Sequence, residues 1–341
     1  MDNLIQLYTT LIGWVLSGFV LGRYVVPKKT SLYIGKFLFW FGVPLLIVAS
    51  LRGRDLSGGV LVAPVTAWIA ILVGAAFAWI WIDLGVADER LKSFSSGIKF
   101  VDRSSDGLMA EDGTAIRASA WSKHTQGSFL LAMMVGNTGY MGYPVILSIV
   151  GKEYFAYAVF YDLLGSTLGA YGLGVALAAY YGTSTNARDR KIWWVNIFDR
   201  LLRNPALWSL VLGLSISNLK LPEVAEQIVK TASIPIVPLS LVMIGLQLSQ
   251  LPSIRKWEQA LTCLIIKMLL VPLVVGTGLM FFGITGAPRL VMVLQMAMPP
   301  AFATLVIAQA YDLDKDLAVT SLAFGSVGLL FTLPVWIWLF S

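Results

Sequence analysis

Charged residues are scarce: 13% of 341 positions, against 57% hydrophobic. That balance lies outside the range of soluble globular domains and excludes a soluble enzyme. The single cysteine, Cys263, sits inside an apolar run, which excludes a disulfide framework and a thiolate metal cage. The single histidine, His124, sits in a polar segment and excludes a histidine metal site. Paired aspartates and an HExxH helix are missing from the apolar runs, so the chain reads as a non-enzyme that calls for no cofactor. No Lys or Arg precedes the first apolar run and no small-residue cleavage pattern ends it, so it reads as a retained span and not a signal peptide.

What is abundant is long apolar runs, each near the roughly 20 residues needed to cross a ~30 Å hydrocarbon core. Read against charged and Pro/Gly-rich breaks, they give ten spans at about 4–22, 33–51, 60–84, 128–150, 155–181, 205–219, 231–249, 258–282, 289–310 and 317–340. The sixth is short, and the fourth and fifth nearly touch. The expectation is an all-α polytopic membrane protein.

Basic residues orient it, because cytoplasmic loops hold the excess of Lys and Arg. Eighteen of the 25 lie after spans 1, 3, 5, 7 and 9, six lie on the opposite side, and Lys267 is inside span 8. Both termini are therefore expected outside, in a plasma membrane, or the inner membrane of a bacterium. The bias also explains the net charge of +6 without nucleic acid as a partner. The longest connector, about 88–127, reads either as a mobile cytoplasmic loop or as carrying an interfacial helix over 88–101 with Phe94, Ile98 and Val101 toward lipid. It is too short to bury a core of its own.

Ten spans divide into two fives, 1–181 and 205–341, joined by a cytoplasmic linker at 182–204. An odd number per half inserts the second half upside down, as in inverted-repeat membrane proteins. VPLLIV at 43–48 in span 2 is echoed by VPLSLV at 237–242 in span 7, the second position of each half. Span 4 clusters Gly136, Gly139, Gly142 and Pro144 at its middle, and span 9 places Pro299 and Pro300 there. Proline removes a backbone donor and clashes with the preceding turn, so both spans are expected to break. Unpaired backbone cannot face lipid, so the breaks belong inside protein, where half-helix ends can hold an anion. A plain kink or a small-residue packing face is the competing reading.

These segments carry a resemblance. GNTGYMGYP at 136–144, MAMPPAFATLVIAQAYDLD at 296–314 and SLAFGSVGLLFTLPVWIWL at 321–339 resemble the auxin efflux carrier family, which includes plant PIN-type auxin exporters and bacterial permeases of malate- or malonate-like anions. The resemblance implies ten transmembrane helices as two inverted five-helix repeats, with broken, crossing fourth and ninth helices and alternating access around substrate held at the crossing. It maps Asn137 onto the family's crossover asparagine, Pro144 onto the proline that follows and Pro299 onto the second crossover proline. Lys267 matches a basic position before a proline in the eighth helix. The chain departs where plant carriers place a proline before the crossover asparagine, since it has Gly136. It also lacks an acidic–basic pair at the start of span 3 and a large cytoplasmic domain.

Asp162 in span 5 and Lys267 in span 8 lie inside the hydrocarbon, where an ionised side chain costs about 2.5–3.5 kcal/mol to insert. A salt bridge between them, a place on the substrate or proton path, and snorkelling to an interface all remain open. Asp83, where span 3 exits, reads as an interface residue. Gly136, Asn137, Thr138, Pro299 and Pro300 are the expected substrate-binding set with Asp162 and Lys267, a purely structural cap of the broken helix being the rival reading for Asn137 and Thr138, and Tyr140, Tyr143, Gln247 and Gln295 are weaker candidates; Gly142 and Pro144 break the helix. The twelve Trp read mostly as interface anchors, as in FAWIWID and VWIWLF. The expected activity is secondary transport of a small organic anion, either malate- or malonate-like or an indole-type acid, outward if the family name is a guide. The expected partners are the bilayer and, from the fold class, a second copy. A ligand sensor of the same fold, a sodium-coupled symporter, a channel and an intramembrane enzyme are the alternatives. The first lacks an output domain, the third a ring of charges and the last a nucleophile.

Overall fold

The computed structural model describes residues 2–27, 29–52, 59–95, 121–182, 201–217, 219, 222–250 and 256–341. Among them every regular element is helical. We number them α1 (Asp2–Val20), α2 (Lys29–Leu51), α3 (Val62–Ser95), α4 (Lys123–Met134), α5 (Tyr143–Ile149), α6 (Phe155–Tyr181), α7 (Pro205–Ser215), α8 (Glu223–Ser249), α9 (Trp257–Phe281), α10 (Gly286–Met296), α11 (Phe302–Ala310) and α12 (Lys315–Phe340). Six stretches are long and apolar enough to cross a bilayer alone: α2, Gly59–Leu84, α6, α8, α9 and α12. Ile12–Val25 and α7 are shorter apolar helices, and two further runs are each split into a helix pair, α4 with α5 and α10 with α11.

Several boundaries move. α8 begins at Glu223, because Glu223 and Glu226 suit a helix N-terminus and Lys230 its last turn before the Ile234–Pro235 break. α7 stops at Ser215, four residues before the expected end. The third span does not end at 84: α3 continues to Ser95, so the first residues of the long connector extend that helix. The rest of the interfacial-helix expectation, with Ile98 and Val101, and most of the 182–204 linker lie outside the described residues.

Prolines and wide turns go together. Pro44, Pro144 and Pro272 each sit in the first turn of an α-helical stretch that follows a π turn, at Leu38–Gly42, Thr138–Gly142 and Ile265–Leu270. The proline has no N–H to give to the carbonyl four residues back, and a wider turn accommodates the surplus. Pro144 thus opens α5 and does not itself break the span.

Large apolar side chains face outward along the spans, among them Phe281, Trp338 and Trp79. A patch of this extent suits hydrocarbon and not water. Inside, α1 lies along α8, α2 along α7, α3 along α6 and α9 along α12. The first pair packs backbone to backbone: a Cβ on Gly18 would stand 2.0 Å from Val242 O, and one on Gly245 2.0 Å from Val15 O. Two tryptophans depart from the interface-anchor expectation. Trp336 is buried and donates to Met268 O at 3.0 Å, fastening α12 to α9, and Trp68 donates to Leu164 O at 3.0 Å, fastening α3 to α6.

At one end, Asp314 gathers three helices. Its carboxylate caps α12 by accepting from Leu317 N at 3.0 Å, accepts from Thr125 Oγ1 of α4 at 2.7 Å, and pairs with Lys256 ahead of α9. Burial alone pushes the carboxyl up, but the donors from Lys256, Thr125 and Leu317 together hold it below the usual carboxylate value.

Candidate functional site

The two split runs meet at their breaks. α4 ends at Met134, and the chain is unwound from Val135 to Asn137; α10 ends at Met296, and it is unwound again from Pro299 to Ala301. Gly136 and Pro300 form an antiparallel bridge, with Asn137 N donating to Pro299 O at 2.7 Å and Ala301 N donating to Val135 O at 3.0 Å. Each unwound strand satisfies the other's orphaned groups where no water from the bilayer can do so. Pro299 and Pro300 contribute by having no N–H to orphan.

Beside the bridge lies a cavity of about 260 Å³. The second halves of both broken runs open on it through their first residues, Thr138, Gly139 and Tyr140 on one and Phe302 and Ala303 on the other. Amide N–H groups in a first helical turn have no intrahelical acceptor and carry positive partial charge. The side chain of Asn137, in a residue only 6% exposed, has no hydrogen-bond partner among the described residues and lines this space. Phe39 and Val43 of α2, Asn204 and Ala206 at the start of α7, and Val306 and Ile307 of α11 complete a mostly apolar wall. Asn204 caps α7 by accepting from Ala206 N at 3.0 Å.

Asp162 lines the cavity from a π turn of α6. Thr138 Oγ1 donates to one carboxylate oxygen at 2.5 Å and Tyr143 OH to the other at 2.7 Å. No Lys, Arg or His among the described residues pairs with it, so the salt bridge to Lys267 does not form.

Of the residues singled out in the sequence, Gly136, Asn137, Thr138, Tyr140 and Asp162 surround the cavity. Pro299 and Pro300 form the bridge beside it and do not line it. Lys267 is buried outside the lining, with its Cε 3.6 Å from where a Cβ on Gly136 would stand. Gln295 is turned away: its Nε2 donates to Ala158 O at 3.2 Å, and its amide fills the space beside Gly142. Gln247 is half-buried on α8, outside the cavity. Phe39, Ser166, Thr167, Tyr171, Asn204 and Phe302 line it without having been singled out. Ser166 follows Asp162 at helical spacing, a signal already present in the sequence, whereas Thr167 and Tyr171 share its face because the π turns Tyr161–Thr167 and Ala170–Gly174 widen the helix. Phe39 and Asn204 reach the cavity only through the packing of α2 and α7.

The profile of the family described as membrane transport protein matches residues 117–337. An uncharacterized transporter of Methanothermobacter thermautotrophicus is 27% identical over 97% of this chain and 94% of its own length. A second uncharacterized transporter, from Methanocaldococcus jannaschii, is 29% identical over 62% of this chain and 68% of its own. A multi-pass membrane transporter accounts for these likenesses, for the apolar helices and for the crossed breaks, and the chain belongs to the auxin efflux carrier family of membrane transport proteins.

Proposed function

We propose that the protein is a secondary transporter that carries a small organic anion by alternating access, holding it in the cavity at the crossover. The observation that carries this reading is the antiparallel bridge of two broken runs beside a cavity onto which two half-helix starts and the unpartnered Asn137 side chain open. The helix starts offer N–H dipoles to a carboxylate, Asn137 offers a side-chain donor, and Phe39, Tyr140 and Phe302 take up an apolar body. At about 260 Å³ the cavity suits a small solute, such as malate, malonate or an indole-type acid. Lys267, buried against the Gly136 side of the crossover, does not reach the cavity.

Ten helices in two inverted halves, 1–181 and 205–341, suit the packing. α1 on α8 is mirrored by α7 on α2, α3 on α6 by α9 on α12, and α3 on α4 by α9 on α10. An inverted two-fold that exchanges the halves turns each of these contacts into its counterpart, and the Gly136–Pro300 bridge maps onto itself. On this reading α1, α2, α7 and α8 form a scaffold, which also offers a face to a second copy, and the crossover with its neighbours forms the moving part. Both termini lie outside in the plasma membrane.

The test is a thermal-shift screen of detergent-purified protein against malate, malonate, indole-3-acetate and further organic anions, with and without sodium. A binder raises the melting temperature by mass action, and Asn137→Ala is expected to abolish that rise. Binding without uptake into proteoliposomes supports a sensor, and a sodium-dependent shift supports a symporter. A panel that shifts nothing in any condition overturns the organic-anion reading.

A further inference from the structure

Among the described residues, Asp162 is the one Asp or Glu on the cavity wall, and no Lys, Arg or His lies on that wall beside it. Its neighbours are not those of an ion pair. Both oxygens are met by neutral hydroxyls, Thr138 Oγ1 at 2.5 Å and Tyr143 OH at 2.7 Å, and both hydroxyls belong to the broken run that borders the cavity. Gly139 keeps the approach open, since a Cβ there would stand 3.1 Å from Oδ2. The titratable groups around it are Tyr140 and Tyr143 of the broken run and Tyr161 of its own helix, with Tyr171 further along the wall. α3 and α10 also pack on this stretch, and their charged residues lie away at Asp83 and beyond and at Arg289. Lys267 sits against Gly136, outside the lining. An ionised Asp162 therefore places a fixed negative charge in the space where an anion is to bind, with no cation among the described wall residues to offset it.

We propose that Asp162 is a proton-binding site whose occupancy decides whether the cavity accepts its anion, so that one proton crosses with each anion. This rests on the organic-anion reading of the same cavity. Two like charges roughly 6 Å apart at an effective dielectric near 20 repel enough to cost about a hundredfold in affinity. A proton from bulk water, held on one carboxylate oxygen, removes that repulsion and stays there during the passage. The acid then donates its own hydroxyl, which releases Thr138 to turn toward the substrate. For a monoanion such as indole-3-acetate or singly protonated malonate, the loaded site, acid plus anion, and the empty site, carboxylate alone, each carry one negative charge. A full cycle thus moves a proton and an anion together and transfers no net charge, so the anion and proton gradients drive it and the membrane potential does not.

The test combines two measurements on full-length protein from about pH 5 to about pH 9. Calorimetric affinities for malonate, malate and indole-3-acetate are compared in wild type and Asp162→Asn, and the infrared carboxylic-acid C=O stretch is followed over the same range. The expected wild-type affinity weakens about tenfold per pH unit toward the alkaline end. Asp162→Asn should bind with a flat profile and lack one titrating acid band. A wild-type profile that is flat, or a slope that survives in Asp162→Asn, overturns the proton site and leaves organic-anion binding standing. If no probe binds at any pH, that reading falls, and the infrared titration alone decides: a titrating band removed by Asp162→Asn supports the proton site, and its absence overturns it. Should Asp162→Asn fail to fold, Tyr143→Phe replaces it. Losing one donor to the carboxylate should carry the loss of binding to more alkaline pH, and an unmoved profile overturns the proposal.

Discussion

At the residue scale the distinction that matters is between polar groups already paired inside the protein and polar groups left open to the cavity. Gln295 and Asn204 are both buried and polar, yet each spends a hydrogen bond on fastening or capping a helix. Asn137 has none among the described residues. Asn137→Ala is therefore expected to weaken anion binding by about 1.5–3 kcal/mol, the value of a hydrogen bond to a charged group, while the melting temperature of the empty protein stays close to wild type. Calorimetry with whichever anion stabilises the wild type measures the first, and thermal unfolding the second. Equal loss of fold in the variant would mean that the side chain serves the break and not the substrate. Asp314 is the opposite case, fully engaged and remote from the cavity. Its carboxyl is held below its ordinary value, so the ionised form is favoured by folding. The stability it adds is present above the unfolded value near 3.9 and is lost as pH falls through the lower folded value. Asp314→Ala should cost about 1–3 kcal/mol near neutrality, from the lost cap and the lost partner of Lys256, and should remove that part of the acid sensitivity. Thermal unfolding as a function of pH reads both.

The element scale explains why some of the site was legible in the sequence. Gly and Pro clusters at 136–144 and 299–300 announce backbone that cannot stay helical, because the physics is local: a missing N–H and a missing Cβ. What such clusters do not announce is which side chains face inward once the helices pack. Lys267 and Gln247 sit on helices whose inner faces touch protein away from the cavity, whereas Phe39 comes to it because α2 widens into a π turn there. Boundaries failed for a similar reason: the apolar signal of α3 ends near Leu84, but a helix continues past it through polar residues to Ser95. The crossover also depends on a neighbour within the third resembling segment that was not singled out as a site residue. A Cβ on Gly325 of α12 would stand 2.7 Å from Pro299 Cβ and 3.0 Å from Pro300 Cδ, and neither ring can swing away. Gly325→Ala should push the bridge toward the cavity, destabilise the fold by about 1–3 kcal/mol and reduce transport. Gly278→Ala, where a Cβ meets nothing within 4 Å, should change neither. Unfolding and uptake assays on the two variants compare them directly.

For the whole molecule, the apolar runs fix where the helices lie, but their division into two parts is a matter of contacts between distant segments and only VPLLIV and VPLSLV hint at it in the sequence. On the proposed reading, α1, α2, α7 and α8, which pack most heavily on one another, form one group, and the cavity lies where it faces the elements around the crossover, with Phe39 on one side and Ala303 on the other. Alternating access then requires these facing walls to slide, while contacts inside each group stay fixed. The single native cysteine makes this testable, since Cys263→Ala leaves a cysteine-free background. In that background Phe39→Cys with Ala303→Cys, bridged by a short bifunctional thiol reagent, should stop uptake into proteoliposomes, and a reducible reagent should let it recover on reduction. The control joins two residues of one group: Ser31 Oγ of α2 donates to Gln250 Oε1 just beyond α8 at 3.0 Å. Ser31→Cys with Gln250→Cys, bridged in the same way, should transport as before. Recovery on reduction separates the effect of the bridge from that of replacing a cavity residue. Undiminished uptake with the Phe39–Ala303 bridge closed would mean that these two walls do not move past each other, and the division into scaffold and moving part would have to be drawn elsewhere.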